Sequence, residues 1–139
     1  MLRFLFDTDH LSLYGHGVPR LVQRVVASAA TAVGISAVSV EEAMRGRLAV
    51  LGRRLTGPQR VQAYAHLVDT LELLSNLPMV PFDSLSENQF QRLRALKIRI
   101  GSADLKIGAI ALAHNLTVLT RNRRDFARIP GLVIDDWSV

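Results

Sequence analysis

Short apolar runs alternate with longer stretches of helical spacing along almost the whole chain, and no other feature restricts the possible folds so strongly. Leu2 to Phe6, Ala32 to Ile35, Met79 to Phe82, Thr117 to Thr120 and Leu132 to Ile134 each read as a short buried strand. Between them, Val18 to Ala30, Val38 to Arg47, Pro58 to Ser75, Ser86 to Ile98 and Ser102 to His114 carry apolar residues at helical intervals. Strands joined through helices line up in parallel, with the helices covering both faces of the sheet. The expectation is an α/β fold with a central, mostly parallel sheet. At 139 residues, with no internal repeat and no linker long enough to divide it, the chain reads as one domain over residues 1–139.

That architecture gives four acidic residues a common address. Asp7 closes the first apolar run, and Glu42 lies in the first turns of the helix after the second. Asp104 lies near the start of the Ser102 helix, and Asp125 follows the Thr117 to Thr120 strand after an arginine-rich turn. In a parallel sheet with crossover helices, strands end and the following helices begin on one edge, where open α/β sheets bind ligands. Each acid also has a local explanation. Ser39-Val40-Glu41-Glu42 has capping-box spacing, Asp104 would favour a first helical turn on dipole grounds, and Asn122 to Asp125 permits a similar account. Four acids at one edge are harder to explain that way, because gathered carboxylates repel unless a cation compensates.

Composition restricts the chemistry. The chain has no cysteine, which excludes disulfides, thiolate metal sites and cysteine nucleophiles, and makes the reducing cytoplasm its natural compartment. The apolar stretch before Asp7 is too short for a signal-peptide core or a membrane span. Formal charge is +5, and 15 of the 17 basic residues are arginine, the side chain suited to bidentate phosphate contacts. Nine basic residues fall between Arg92 and Arg128 against two acids, Asp104 and Asp125. A carboxylate site in a positive field suits a hard divalent cation, Mg²⁺ with Mn²⁺ as a substitute, acting on a phosphodiester.

The motifs then match a known family. Phe6-Asp7-Thr8-Asp9 resembles the opening Asp-Thr-Asn motif of PIN-domain ribonucleases, specifically the VapC-type toxins of bacterial toxin-antitoxin pairs, with Asp9 where asparagine is usual. Ile35-Ser36-Ala37-Val38-Ser39-Val40-Glu41-Glu42 resembles the second motif, whose acid falls on Glu42 rather than Glu41. Ile100 to Ala109 resembles the third, around Asp104, and Leu119 to Phe126 with Ile129-Pro130-Gly131-Leu132 and Asp136-Trp137 resembles the C-terminal signature. The resemblance implies a three-layer α/β/α fold, Mg²⁺-dependent endoribonuclease activity, inhibition by a small antitoxin and a homodimer. It implies catalytic roles for Asp7, Glu42, Asp104 and Asp125, with Asp7 and Asp104 as direct metal ligands. The fourth position has two readings, Asp125 itself or Asn122 ordering a water beside the metal. Enzymes that cut initiator tRNA occur among similar toxins, which makes structured RNA the expected substrate.

Other residues take supporting readings. Thr120, Arg121, Asn122, Arg123 and Arg124 are candidate substrate-binding residues through their hydroxyl, amide and guanidinium groups. No pair among His10, His16, His66 and His114 has metal-ligand spacing, and His10 alone, beside Asp9, is a candidate RNA contact. Trp137 reads as a packing anchor. The stripe Val61, Tyr64, Ala65, Val68, Leu71 and Leu74 reads first as a core face, and then as part of a dimer or antitoxin surface. Two other functions fit parts of the pattern. Asp7-Thr8-Asp9 also opens haloacid-dehalogenase-like phosphatases, with Asp7 as nucleophile and Asp9 as acid/base. The basic face alone would make a non-catalytic RNA-binding module.

Overall fold

The computed structural model describes residues 1–139. Five strands, β1 (Phe4–Phe6), β2 (Val33–Ser36), β3 (Met79–Val80), β4 (Thr117–Leu119) and β5 (Ile134–Asp135), form one sheet in the order β3-β2-β1-β4-β5. Every pairing is parallel. The helices are α1 (Thr8–Gly15), α2 (Pro19–Ala27), α3 (Ala37–Leu51), α4 (Gly57–Ser75), α5 (Ser84–Ala95), α6 (Ser102–His114) and α7 (Arg123–Phe126). The chain builds outward from central β1 to β2 and β3, then returns to lay β4 and β5 on the other side. The strand order therefore reverses between β1 and β4, the point at which sheets of this kind open a crevice for ligands.

Alternating side chains divide the core into two layers. Leu5 and Val118 point to one face and join Phe90, Leu93, Leu105, Ile107 and Ile110 of α5 and α6. Phe6, Ile35 and Leu119 point to the other and join Leu11, Leu21 and Leu74 of α1, α2 and α4. This is the expected three-layer α/β/α arrangement. No helix is long and apolar enough to cross a membrane.

Several boundaries differ from the sequence reading for identifiable reasons. β3 stops at Val80 rather than Phe82, because Pro81 has no N–H to offer a ladder. β5 begins two residues late: Gly131 takes φ +80° and the Leu132 amide turns back to the Ile129 carbonyl. α5 starts early at Ser84, where the Asp83 carboxylate caps the Ser86 amide, and stops before Lys97, which is left-handed at φ 55°. α2 ends at Ala27 rather than Ala30, and α3 runs four residues past Arg47. Two helices escaped the periodicity altogether. α1 and the single-turn α7 are set by caps, Asp7 and Asn122, rather than by a long apolar stripe.

The α4 stripe is the largest correction. Val61, Tyr64, Ala65, Val68 and Leu71 are exposed; of the stripe Leu74 alone is buried as expected, and Ala63 and Thr70 face inward beside it. Leu96, at the C-terminal end of α5, is exposed as well. Helical spacing identifies a stripe without saying whether the partner is the same chain.

Close packing fixes β2 against β3 and the N-terminus. A Cβ on Gly34 would stand 2.8 Å from both Leu2 Cδ1 and the Pro78 carbonyl oxygen. That same carbonyl accepts the Ile35 amide at 2.9 Å, so it is not free to retreat. Gly34→Ala is expected to lower the unfolding free energy by about 2 kcal/mol. An unchanged urea midpoint would contradict this packing.

Candidate active site

The site starts from the end of β1. The Asp7 amide donates to the Leu119 carbonyl at 3.0 Å, extending the β1–β4 ladder by one bond. Its carboxylate turns down to cap α1, accepting the His10 amide at 2.7 Å. Thr120, directly after β4, accepts the Asn122 amide at 2.8 Å on its hydroxyl oxygen, and its hydroxyl favours the ionised form of Asp7. Thr120 is fully buried, and its hydroxyl organises the turn after β4.

Glu42 reaches the same edge from the second turn of α3. The N-cap of α3 is Ser36, not Ser39, so the capping-box explanation of Glu42 does not hold. Instead Thr8 donates its hydroxyl to Glu42 Oε1 at 2.6 Å, and the Ser39 hydroxyl lies 3.0 Å from that of Thr8. Ser36, Ser39 and Thr8 thus form a chain of hydroxyls that ends on Glu42. Glu41 faces outward and pairs with Arg45 one turn on. Sequence spacing gives no sign of the Thr8–Ser39 contact, because it joins residues 31 apart.

Asn122 and Asp125 are not competitors in space. Asn122 caps α7 by accepting the Asp125 amide at 3.3 Å, and its own side-chain amide donates to Asp125 Oδ2 at 3.0 Å. The two form one reciprocal cap at the β4 end. Asp104 occupies the first turn of α6.

Electrostatics links the four acids. Burial raises the Asp7 carboxyl from 3.8 to about 6, against the Thr120 and His10 hydrogen bonds that lower it, with Asp9 and Asp104 adding repulsion. Burial also raises Asp104, and the charges of Glu42 and Asp125 push it further the same way. No lysine or arginine nitrogen lies within 4.0 Å of any of the four. The nearby arginines are held by other acids. Arg121 grips Asp9 in a bidentate pair at 2.8 and 3.0 Å, and Arg123 and Arg24 lie 3.8 and 3.7 Å from Asp135. Arg124 is exposed. Asp9 is thereby committed as a partner for Arg121, which leaves it poorly placed to act as the acid/base of a phosphatase.

Asp7, Asp9 and His10 also lie close enough to share a cation, with ligand atoms all within 4.8 Å. Arg121 already occupies Asp9, however, and the His10 ring is fully buried with Nε2 accepting the Trp137 amide at 3.2 Å. Burial lowers the His10 pKa, favouring the neutral ring. The expected RNA contact from His10 is therefore not available. His66 sits against Gln62 and His114 against Asp83. Trp137 is buried against Phe4, with ring centroids 4.7 Å apart, and serves as the expected packing anchor. A groove of about 660 Å³ opens beside Thr8 and Glu42 and runs between α1, α3 and α4 past Arg47, Asp69 and Thr70.

The raised Asp7 pKa has a defined sign for stability. The folded state holds this proton more tightly than the unfolded chain, so the contribution is complete below pH 3.8 and is lost as pH rises through about 6. Metal-free protein is expected to lose on the order of 2 kcal/mol from this group between pH 4 and pH 7. Asp7→Asn, which still caps a helix, should flatten that part of the thermal-melt profile. A wild-type melting temperature that rises across the same interval in step with the variant would refute the assignment.

Comparison with known proteins agrees with this geometry. The PIN domain model matches residues 9–132. The Salmonella typhimurium tRNA(fMet)-specific endonuclease VapC is 26% identical over 141 residues, covering 99% of each chain. Ribonuclease VapC2 of Rickettsia felis is 34% identical over 69 residues, so the match spans 47% of this chain and about half of that one, 52%. Among solved structures, a chain of DNA-bound VapBC from Salmonella typhimurium superposes with a TM-score of 0.83 at 25% identity, covering 99% of both chains. With the strand order, the acidic crevice and the family match in agreement, the chain belongs to the PIN domain family.

Proposed function

We propose that this protein is a divalent-metal-dependent endoribonuclease, the toxin of a type II toxin-antitoxin pair. What supports the reading is the electrostatic coupling of Asp104 to Asp7, Glu42 and Asp125, with no lysine or arginine nitrogen within 4.0 Å of any of the four, inside a protein of net charge +5. The four side chains themselves offer only carboxylate oxygens, which suits Mg²⁺ and admits Mn²⁺. Asp7 and Asp104 would hold the ion directly, since burial and mutual repulsion leave them most in need of a positive charge. Glu42, oriented by Thr8, and Asp125, oriented by Asn122, would complete the site. Such an ion, when bound, polarises a phosphodiester and promotes ionisation of an attacking water.

The remaining work falls to the chain's own groups. The His10 amide fixes the Asp7 carboxylate as the cap of α1, and the Thr120 hydroxyl favours its ionised form. Arg121, Arg123 and Arg124 are exposed after β4, where an incoming phosphate can compete with Asp9 for Arg121 and with Asp135 for Arg123, and can meet Arg124 directly. The resemblance to the tRNA(fMet)-specific endonuclease points to a structured RNA, and tRNA is the substrate to test first. The cytoplasm, where such RNA and a small antitoxin are available, is the proposed compartment. The exposed α4 stripe supplies the apolar face that a homodimer partner or antitoxin needs.

Asp7→Asn and Asp104→Asn should each abolish cleavage of a tRNA pool, and EDTA should do the same reversibly, with activity returning on Mg²⁺ addition. Undiminished cleavage by both variants or in EDTA would overturn the reading. Thr8→Val, which frees Glu42 while keeping shape, should lower the rate roughly 10- to 100-fold. For the partner face, Val68→Asp should reduce self-association or antitoxin capture, read by light scattering, while leaving the isolated protein folded; no change in either would remove α4 from the interface.

A further inference from the structure

His10 sits in the first turn of α1, fully buried, and plays no part in the chemistry described above. Its ring joins two segments that are distant in sequence. On one side Nε2 lies 3.2 Å from the Trp137 backbone nitrogen and 3.5 Å from Asp136 Oδ1. A backbone N–H can only donate, so Nε2 accepts and carries no proton. Asp136 Oδ1 is already taken by the amide and hydroxyl of Ser138, at 2.8 and 2.6 Å. The single proton of the neutral ring then resides on Nδ1.

Nδ1 is buried without a hydrogen-bond partner and faces Asp7 Oδ1 at 3.8 Å. The same oxygen accepts the backbone amide of His10 at 2.7 Å. One residue thus presents two N–H groups to one carboxylate oxygen, the second standing roughly half an ångström beyond hydrogen-bond range. A small rotation of the Asp7 side chain closes that gap. Phe6, whose ring centroid is 6.3 Å away, helps keep the imidazole in place.

We propose that His10 is a positioning residue for Asp7: the C-terminal segment Asp136-Trp137-Ser138 locks its ring as the Nδ1–H tautomer, and that N–H steadies the Asp7 carboxylate when the site takes its cation. The C-terminal segment is thereby coupled to the acidic crevice through one imidazole. His10 touches neither substrate nor metal in this scheme. A buried orphan donor would otherwise be a net loss for the fold. The consequence for catalysis rests on the nuclease reading, whereas the tautomer does not.

The test uses full-length protein, with wild type, His10→Leu and His10→Asn, each checked for folding by its amide NMR spectrum. Long-range ¹⁵N–¹H spectra of the metal-free wild type should show His10 protonated on Nδ1 and bare on Nε2, and Mg²⁺ should shift the Nδ1–H resonance. His10→Leu should weaken Mg²⁺ binding roughly 10- to 100-fold and lower kcat while leaving KM for RNA unchanged. His10→Asn, whose side-chain amide can occupy the Nδ1 position, should recover most of both losses. An Nε2–H tautomer, or a folded His10→Leu with wild-type Mg²⁺ affinity, would overturn the proposal. If His10→Leu does not fold, failure of His10→Asn to bind Mg²⁺ better than about 100-fold below wild type overturns it instead. Should wild type neither bind Mg²⁺ nor cut RNA, the nuclease reading fails, and the tautomer alone decides whether the C-terminal segment locks His10.

Discussion

The carboxylate of Asp7, buried at the end of the central strand, is the interaction on which the rest depends. Its backbone amide ties β1 to β4 through Leu119, and its side chain starts α1 by accepting the His10 amide. Both bonds use groups that a strand end and a helix start leave unpaired, so one residue satisfies two backbone requirements. The arrangement also holds a charge where water cannot easily reach it. Three groups around it, the His10 amide, the Thr120 hydroxyl and the His10 imidazole, all have donors to offer, yet burial still dominates the pKa. The fold holds this carboxylate firmly while leaving its charge uncompensated.

That separation of positioning from neutralisation extends across the site. Glu42 and Asp125 are held by neutral donors, Thr8 and Asn122, rather than by arginine. The cations are placed one layer out, where Asp9 and Asp135 restrain Arg121, Arg123 and Arg24. The result is a negative centre with a positive rim. A guanidinium inside the crevice would fill the place of a divalent ion, and an unrestrained rim would lose its orientation toward a polyanion. Net charge conceals this pattern, because the two signs are sorted by depth.

Much of the fold could be read from residue order. All five strands and five of the seven helices follow from apolar spacing, since buried strands and amphipathic helices leave different periods. α1 and α7 did not, because each is short and owes its start to a side-chain cap. The α4 stripe shows the limit in the other direction. Val61, Tyr64, Val68, Leu71 and Leu74 have the spacing of a core face, yet of these only Leu74 faces inward, and the neighbouring inward positions go to Ala63 and Thr70. Periodicity reports a face, and only packing tells which face is already covered.

For the site, the sequence by itself determined that four acids lie near strand ends and helix starts, because strand direction and crossover connectivity dictate where strands end. It also favoured Glu42 over Glu41 through the family motif. Only the tertiary structure decided how those acids are held: Thr8 on Glu42, Asn122 bonded to Asp125 rather than competing with it, Asp9 diverted to Arg121, and His10 turned inward to the C-terminal segment. These are contacts between side chains as far as 127 residues apart. Local spacing carries no information about such contacts, because a hydrogen bond depends on where two atoms finish once the chain has folded.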